Sequence, residues 1–305
     1  MAKIIFIGDV VGKPGRKILR EVLPQWKMEY QPDAVIVNVE NLAHGKGVTL
    51  STLAEIDELG IDCFTGGNHI FNKDSKECFE KYDKLIRPAN YTSVKIEKKE
   101  MAVPGHGYYR FSKEIKPLLT SPFEKGEGTA VAPSFSKEGV GGVKYPTQQF
   151  LVINLNGQVF MEKQFDGGIL NPFLALDRIL TEQSQKGDII IVDFHSEATS
   201  EKVAFGYYSD GRVTAVFGTH THVPTADNRV LPKGTAFMSD AGMTGSRDGV
   251  IGVKYQNVLK KFLEPETKFK NELEEDGMLQ INGVVIEIGD NQKATKIERV
   301  YQELV

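Results

Sequence analysis

Short apolar runs rich in Val and Ile recur along the chain, separated by longer segments of mixed polarity. Runs of this length are typical of strands that are buried on both faces of a parallel sheet. The segment after the first run has apolar residues at helical spacing, namely Ile18, Leu19, Val22, Leu23 and Trp26. Strands that alternate with helices predict parallel pairing with right-handed crossovers.

The pattern predicts elements over most of the chain. The segment 10–17 is expected to make a turn and open a helix that runs to about Tyr30. Further helices are expected at 51–59, 72–82 and 255–263, with two more that begin at Pro172 and Ser196. Strands are expected at 3–8, 34–39, 62–65, 189–194, 213–217, 279–288 and 294–301, and the segments 85–91 and 236–242 are expected to be strands that run into loops. Asn156-Gly157 predicts a tight hairpin between strands at 150–155 and 158–162.

One segment departs from this regular pattern. From about Lys95 to Thr147, Gly, Pro, Lys and Ser are frequent and the apolar periodicity fades. Long loops without their own structure are uncommon inside compact domains. We therefore expect one domain over 1–305 with an insertion at about 113–147, which would serve as a lid or as an oligomer contact.

Five apolar runs end in a side chain that can bind a metal ion. These residues are Asp9, then Glu40 and Asn41, then Asn68, then His195, and finally His220. Because ligands bind at the carboxyl ends of strands in such sheets, we expect these residues to meet in one crevice. An isolated His-x-His in a loop would more simply be a pair of surface histidines, but five coinciding strand ends favour a shared site.

The candidate ligands favour a site with two ions. His220 and His222 lie two positions apart, so an extended backbone points both rings the same way. Seven donors, including His222, exceed what one tetrahedral ion needs, and two nearby cations would use them. Oxygen and imidazole ligands without sulfur suit iron, manganese or zinc. Such a pair would activate a water for attack on a phosphoester, with Glu40 able to bridge the ions.

His69 follows the ligand candidate Asn68 and is the remaining imidazole of this region. Placed opposite the attacking hydroxide, it could protonate the leaving oxygen as a general acid. An eighth ligand or a supporting residue is the alternative.

Weaker candidates for substrate binding are Lys13 and Arg16, at a strand-to-helix turn that could bind an anion. Asn90 is a further weak candidate, although a turn residue is the simpler interpretation there, and His106 is expected at the surface.

Composition narrows the class of protein. The chain has 305 residues, 40% hydrophobic content and a formal net charge of −4, so we expect neither a general nucleic-acid surface nor a membrane surface. The two cysteines, Cys63 and Cys78, lack metal-type spacing and predict neither a disulfide framework nor a thiolate site. No apolar leader or membrane-length run is evident, which favours a cytoplasmic protein.

Several motifs resemble the calcineurin-like metallophosphoesterase superfamily: Gly8-Asp9, Gly67-Asn68-His69 and the stretch from Gly218 to His222. Three departures are informative. Val11 stands where that superfamily usually has His, Asn38-Val39-Glu40-Asn41 replaces its Gly-Asp-x-x-Asp motif, and no Glu follows His69. The departures match one bacterial branch, the YmdB-like phosphodiesterases. Further matching stretches are 87–91, 193–202, 218–227 and 240–245.

The resemblance implies a fold and a set of roles. The fold would be α/β, with two packed mixed β-sheets flanked by α-helices in a four-layer α/β/β/α arrangement. Asp9, Asn41 and His222 would hold one metal, Asn68, His195 and His220 the other, and Glu40 would bridge them. His69 would donate the proton. The implied substrates are 2′,3′- or 3′,5′-cyclic nucleotides and related small diesters.

Two other functions stay open at this point. A phosphomonoesterase, such as a nucleotidase, could use the same centre. A regulatory protein that binds a metal or nucleotide without catalysis is the third possibility, although such a sensor has no need of His69. A homo-oligomer is compatible with the sequence.

Overall fold

The computed structural model describes residues 1–73, 75–96, 99–115, 146–161, 168–266 and 270–305. Within these residues the helices are α1 (Gly12–Tyr30), α2 (Leu50–Asp57), α3 (Lys76–Lys81), α4 (Pro172–Gln183), α5 (Thr199–Ser209) and α6 (Tyr255–Leu263). The strands are β1 (Ala2–Ile7), β2 (Ala34–Asn38), β3 (Cys63–Thr65), β4 (Val94–Ile96), β5 (Lys99–Met101), β6 (Tyr108–Glu114), β7 (Thr147–Asn156), β8 (Ile189–His195), β9 (Ala215–Thr219), β10 (Arg229–Val230), β11 (Ala236–Met238), β12 (Gly245–Ser246), β13 (Leu279–Ile288) and β14 (Ala294–Leu304).

The strands form two larger sheets and one small hairpin. The first sheet has the order β12-β13-β1-β2-β3, with β14 paired to β13. Its strands β1, β2 and β3 are parallel, whereas β13 runs antiparallel to β1. The second sheet has the order β10-β11-β9-β8-β7-β6, in which β7, β8, β9 and β11 are parallel. Both sheets are therefore mixed, and β4 pairs with β5 apart from them.

Three apolar clusters show how the layers stack. The first lies between the first sheet and helices α1 and α2, and includes Leu19, Trp26 and Leu53. The second lies between the two sheets, where Phe6 of β1 packs on Phe217 of β9 with ring centroids 4.9 Å apart. The third joins the second sheet to α4 and α5. The predicted four-layer α/β/β/α fold is confirmed.

The hairpin predicted at Asn156-Gly157 is wrong. β7 runs to Asn156 but pairs with β6 and β8, and the following residues 159–161 form a turn instead of a strand. The backbone N–H of Gly157 donates to the carbonyl of His195. A Cβ at Gly157 would lie 2.6 Å from Cβ of Ser196, so glycine is required here by close packing rather than by a tight turn.

Two other elements differ from the expected ones. α3 covers only the second half of the predicted helix 72–82. Residues 85–91 form no strand, because Leu85, Ile86 and Tyr91 make only single bridges, to Phe64, His106 and Ile169. Pro88 then removes a donor that a sheet ladder would need. The other predicted helices and strands lie within a few residues of their expected positions.

The predicted insertion lies largely outside the described residues, so its role stays a prediction. The residues on either side are described: Glu114 at the end of β6 pairs with Thr147 at the start of β7. Among the helices described, none has the length and apolar character that crossing a membrane requires. Cys63 and Cys78 are both buried and form no disulfide.

Candidate metal centre

Strand ends from both sheets meet at one edge of the fold. Asp9 follows β1, Glu40 and Asn41 follow β2, and Asn68 follows β3 in the first sheet. His195 ends β8, and His220 and His222 follow β9 in the second sheet. Because the strands within each set are parallel, their carboxyl ends lie on the same side.

The seven side chains contact one another directly. Nε2 of His195 lies 3.2 Å from Glu40 Oε2, 2.9 Å from Asn68 Oδ1 and 3.0 Å from His220 Nδ1. Glu40, His195 and His220 present ligand atoms that all lie within 4.8 Å of one another.

The remaining contacts complete the cluster on the His222 side. Asn41 Nδ2 lies 3.0 Å from Glu40 Oε1 and 3.2 Å from His222 Nε2, and Asp9 Oδ1 lies 3.9 Å from the same His222 nitrogen. The structure thus brings all seven predicted ligands together, and their assignment to individual ions stays a prediction.

Hydrogen bonds set the tautomer of two histidines. Thr219 donates its hydroxyl proton to Asp193, 2.7 Å away, and so accepts from Nδ1–H of His195 at 2.9 Å. His222 donates its Nδ1–H to the carbonyl of Ile251 at 3.0 Å. With Nδ1 of both rings used in this way, Nε2 faces the cluster, and its lone pair becomes available to a metal ion whenever Nε2 carries no proton.

The loop that carries His220 and His222 has an unusual backbone. The φ angles of these residues are 98° and 67°, a region that residues other than glycine seldom occupy. Asp240 holds the loop, since its Oδ2 accepts from both N and Oγ1 of Thr221, at 3.1 and 2.7 Å. Lys202 of α5 pairs with the same oxygen at 2.7 Å, and both charged side chains are almost completely buried.

Replacing Lys202 by methionine should destabilise the fold by about 3 kcal/mol, because it leaves the buried Asp240 charge without a partner. Urea unfolding of the metal-free protein measures this loss. The exposed Lys186→Met is the matched control and should change little. Combining Lys202→Met with Asp240→Asn should recover part of the loss. If the single variant is as stable as the wild type, the pair does not brace the loop.

Without bound cations, the cluster contains more buried negative charge than positive charge. Asp9, Glu40 and Asp193 are all buried, and in the described part of the chain no lysine or arginine forms an ion pair with Asp9 or Glu40. Burial alone would lower the pKa of His195, but the Glu40 carboxylate outweighs it and raises this pKa to about 9. Burial would raise the pKa of Glu40, and His195 outweighs it and lowers that pKa. A proton on His195 thus compensates Glu40.

For Asp9 and His220, no neighbouring group among the described residues outweighs the effect of burial on the pKa in this way. Burial raises the pKa of Asp9, and burial together with the charge of His195 lowers the pKa of His220 to about 2. Bound divalent cations would satisfy these carboxylates and would replace the proton on His195.

Two further observations fit bound cations. Asp9 Oδ1 is buried and accepts no hydrogen bond, which is costly for a carboxylate unless a cation approaches it. At Gly67 a Cβ would collide with the Glu40 carboxylate and lie 2.5 Å from Nε2 of His195, so glycine leaves this space free. The donor set of carboxylate, amide and imidazole groups fits metal ions.

Glu197 is a residue that the sequence interpretation missed. It follows His195 by two positions, and its Oε2 lies 2.9 Å from Nε2 of His220. Since Nε2–H of His220 donates to this carboxylate, the lone pair of Nδ1 faces the cluster. A carboxylate behind a ligating histidine fixes the ring and increases its basicity. The spacing His-x-Glu after a buried strand was the available signal.

Replacing Glu197 by alanine should weaken metal binding by about 10- to 100-fold, because His220 loses its orienting acceptor. Glutamine keeps an acceptor oxygen and should retain most of the affinity. Titration of the metal-free variants with manganese, followed by calorimetry, separates the two outcomes. Equal affinities for wild type and alanine variant would exclude this role for Glu197.

His69 lies beside the cluster and is half-buried. Its backbone N–H donates to Glu40 Oε2 at 3.1 Å, and its Nδ1 lies 3.0 Å from Asn72 Oδ1. An amide oxygen only accepts, so Nδ1 carries a proton and Nε2 is left for another partner. The ring lines a cavity of about 370 Å³ together with Glu40, Asn41, Lys46, Glu197, His220, Thr221, His222 and several apolar residues.

The three weaker candidates do not line this cavity. Arg16 donates to Glu55 at 2.6 Å and to the carbonyl of Leu42 at 2.7 Å, and Lys13 lines a different surface depression along α1. Asn90 is fully buried, where its amide donates to the carbonyls of Asn156 and Leu170. The roles predicted for them in substrate binding thus gain no support from their positions. His106 is exposed, as expected.

Comparison with known proteins gives matches over nearly the whole chain. A family model described as YmdB-like protein matches residues 5–121 and 130–300. A Bacillus subtilis protein named 2′,3′-cyclic-nucleotide 2′-phosphodiesterase is 39% identical over 302 residues, which cover 98% of this chain and 96% of the relative.

Solved structures agree with this family. A crystal structure of a novel phosphatase from Mycoplasma pneumoniae has a TM-score of 0.78 and 32% identity, and the match covers 99% of this chain and 93% of that one. A hypothetical protein from Thermus thermophilus has a TM-score of 0.76 and 30% identity, with 99% of both chains covered.

Proposed function

The chain belongs to the YmdB-like family, and on this basis we propose that it is a dinuclear metal-dependent phosphodiesterase that acts on cyclic nucleotides or related small diesters. The prediction of a phosphoric diester hydrolase is confirmed by the name of the Bacillus subtilis relative. The observation that carries the dinuclear proposal is that seven buried or half-buried ligand groups converge, two of them carboxylates without a lysine or arginine partner among the described residues.

Each side chain has a role in this proposal. Asp9, Asn41 and His222 would hold one ion, Asn68, His195 and His220 the other, and Glu40 would lie between them. When bound, two such ions lower the pKa of a water molecule and offset charge on phosphoryl oxygens, with iron, manganese or zinc as the metals that suit these ligands. Thr219, Glu197 and the carbonyl of Ile251 keep the imidazoles in the required tautomers.

His69 would act on the leaving group. Its Nδ1–H is directed to Asn72 and its ring lines the cavity, so in the imidazolium form Nε2–H would give its proton to the departing oxygen and leave a neutral ring that keeps Nδ1–H. The hydrogen bond from its backbone to Glu40 ties its position to the ligand cluster.

The test begins with protein purified without added metal. Metal content and turnover of bis(p-nitrophenyl) phosphate are measured before and after the addition of manganese or iron. We expect about two ions per chain and metal-dependent hydrolysis. Less than about one ion per chain, together with no turnover, would reject the proposal.

A phosphomonoesterase that uses the same centre is the second candidate, favoured by the similarity to the Mycoplasma pneumoniae protein, which is described as a phosphatase. Rates on 2′,3′-cyclic nucleotides, 3′,5′-cyclic nucleotides and nucleoside monophosphates separate the candidates. Preference for the cyclic diesters supports the phosphodiesterase.

A further inference from the structure

A tight turn at the mouth of the cavity has an unfavourable residue at its tip. Val250 and Val253 exchange backbone hydrogen bonds of 2.7 and 3.0 Å, and the two residues between them, Ile251 and Gly252, have φ angles of 48° and 91°. A turn with two positive φ angles favours Asn-Gly. Isoleucine is β-branched and is a rare outlier in this region of φ.

Packing of the fold does not explain the isoleucine. Ile251 is 52% exposed and belongs to none of the three apolar clusters. Strained residues that persist in a fold are concentrated at binding and active sites. The backbone of Ile251 has one role, as the acceptor for His222, but any residue would supply that carbonyl. The choice of a branched apolar side chain therefore calls for a second role.

Ile251 forms an apolar wall of the cavity together with Val253 and Leu273. The wall is built into the fold, since Lys254 N–H donates to the carbonyl of Glu272 at 2.9 Å and Glu274 N–H to that of Gly252 at 3.0 Å.

Glycines support the wall from behind. A Cβ at Gly12 or Gly45 would lie 2.5 or 2.8 Å from a methyl group of Leu273, so both glycines leave room for this side chain. Both also have positive φ angles, which other residues rarely adopt.

The cavity therefore combines two kinds of surface. One part carries the ligand cluster, with His69 and Lys46, and suits a phosphodiester. The other part is the apolar wall, beside which the amide of Asn271 offers a donor and an acceptor. At about 370 Å³ the cavity falls in the range of small-molecule sites, which is roughly 300–1,000 Å³.

We propose that the wall of Ile251, Val253 and Leu273 is a subsite for the nucleobase of the substrate, an inference that rests on the proposed function. A base has apolar faces, which suit the three aliphatic side chains, and a polar edge, which suits the amide of Asn271. A small diester without such a group would gain nothing from the wall. The subsite thus adds affinity for nucleotides over other phosphoesters.

Ile251→Asn is the sharpest test, because asparagine favours the positive φ of this turn and keeps the carbonyl that accepts from His222. Binding of adenosine 3′-monophosphate and of inorganic phosphate to the manganese-loaded protein is measured by calorimetry. We expect wild type to bind the nucleotide more tightly than phosphate. The variant should lose about 10-fold in affinity for the nucleotide, with phosphate binding and metal content unchanged and a melting temperature no lower than that of the wild type.

Two control variants accompany this test. Ile251→Leu keeps an apolar side chain and should keep most of the nucleotide affinity. Leu174→Gln removes an exposed apolar side chain on α4, away from the cavity lining, and should have no effect.

Three results would overturn the inference. Unchanged nucleotide affinity in Ile251→Asn would mean that the side chain serves another contact, such as a second copy of the chain. Equal losses for nucleotide and phosphate would mean that the turn acts only through His222. If the wild type binds neither probe and hydrolyses no phosphodiester, both the proposed function and the subsite are rejected. If the wild type hydrolyses phosphodiesters and Ile251→Asn keeps its nucleotide affinity, only the subsite is rejected.

Discussion

Replacing His69 by alanine is expected to leave both metal ions in place and to reduce phosphodiester hydrolysis by about 10² to 10⁴-fold, the contribution of a general acid. The ring makes no contact with His195, His220 or His222 among the hydrogen bonds described, and its single tie to the ligand cluster is a backbone N–H to Glu40, which alanine retains. The side chain therefore supports catalysis without being needed to assemble the centre.

The measurement combines metal analysis with turnover of two diesters. A diester with a good leaving group, such as bis(p-nitrophenyl) phosphate, needs less help from an acid, so the loss should be smaller than for a 2′,3′-cyclic nucleotide. His106→Ala is the matched control, since His106 is exposed and lines a different depression. Loss of metal from the His69 variant would make it a ligand and would reject the acid role.

Replacing Asp9 by asparagine should have opposite effects on the metal-free and the metal-loaded protein. In the metal-free chain Asp9 is a buried carboxylate with an oxygen that accepts no hydrogen bond, so removing the charge should leave the free energy of unfolding unchanged or raise it by about 1 kcal/mol. In the presence of manganese the variant should melt at a lower temperature than wild type, because a weaker ligand reduces the stabilisation by bound metal.

Activity of the Asp9 variant should fall by about 10³-fold, equivalent to roughly 4 kcal/mol of lost transition-state stabilisation. Thermal unfolding with chelator and with manganese, together with turnover, provides the three readouts. Asp276→Asn is the control, since Asp276 is exposed and should respond to neither condition. A variant that is destabilised equally with and without metal would show that Asp9 is only a structural residue.

The residues of the candidate metal centre could be singled out from the sequence because they come shortly after apolar runs. Asp9 follows β1 and Glu40 follows β2, and parallel strands must present these ends on the same side. The residues that support the ligands gave weaker signals. Glu197 lies in a polar stretch that also begins a helix, and the Lys202 and Asp240 pair joins positions 38 residues apart that have no shared pattern.

Local signals failed where tertiary packing determines the backbone. Asn156-Gly157 has the composition of a tight turn, yet it lies at the buried end of β7 because Gly157 must pass close to Ser196. Val250 to Val253 shows the reverse case, where a tight turn forms although isoleucine stands at the position that favours asparagine. Lys13 and Arg16 had suitable charge for an anion, but Arg16 is held by Glu55, a contact that no local pattern reveals.

The sequence by itself determined most of the helices and strands and the identity of the groups that follow the strand ends, because the spacing of apolar residues is a local property. The four-layer fold was implied by the resemblance of its motifs to a known family. Only the tertiary structure decided which groups stand behind those candidate ligands, and that the apolar wall of Ile251, Val253 and Leu273 meets the cluster in one cavity. Such contacts join segments that are distant along the chain, and their distances depend on how the two sheets pack on each other.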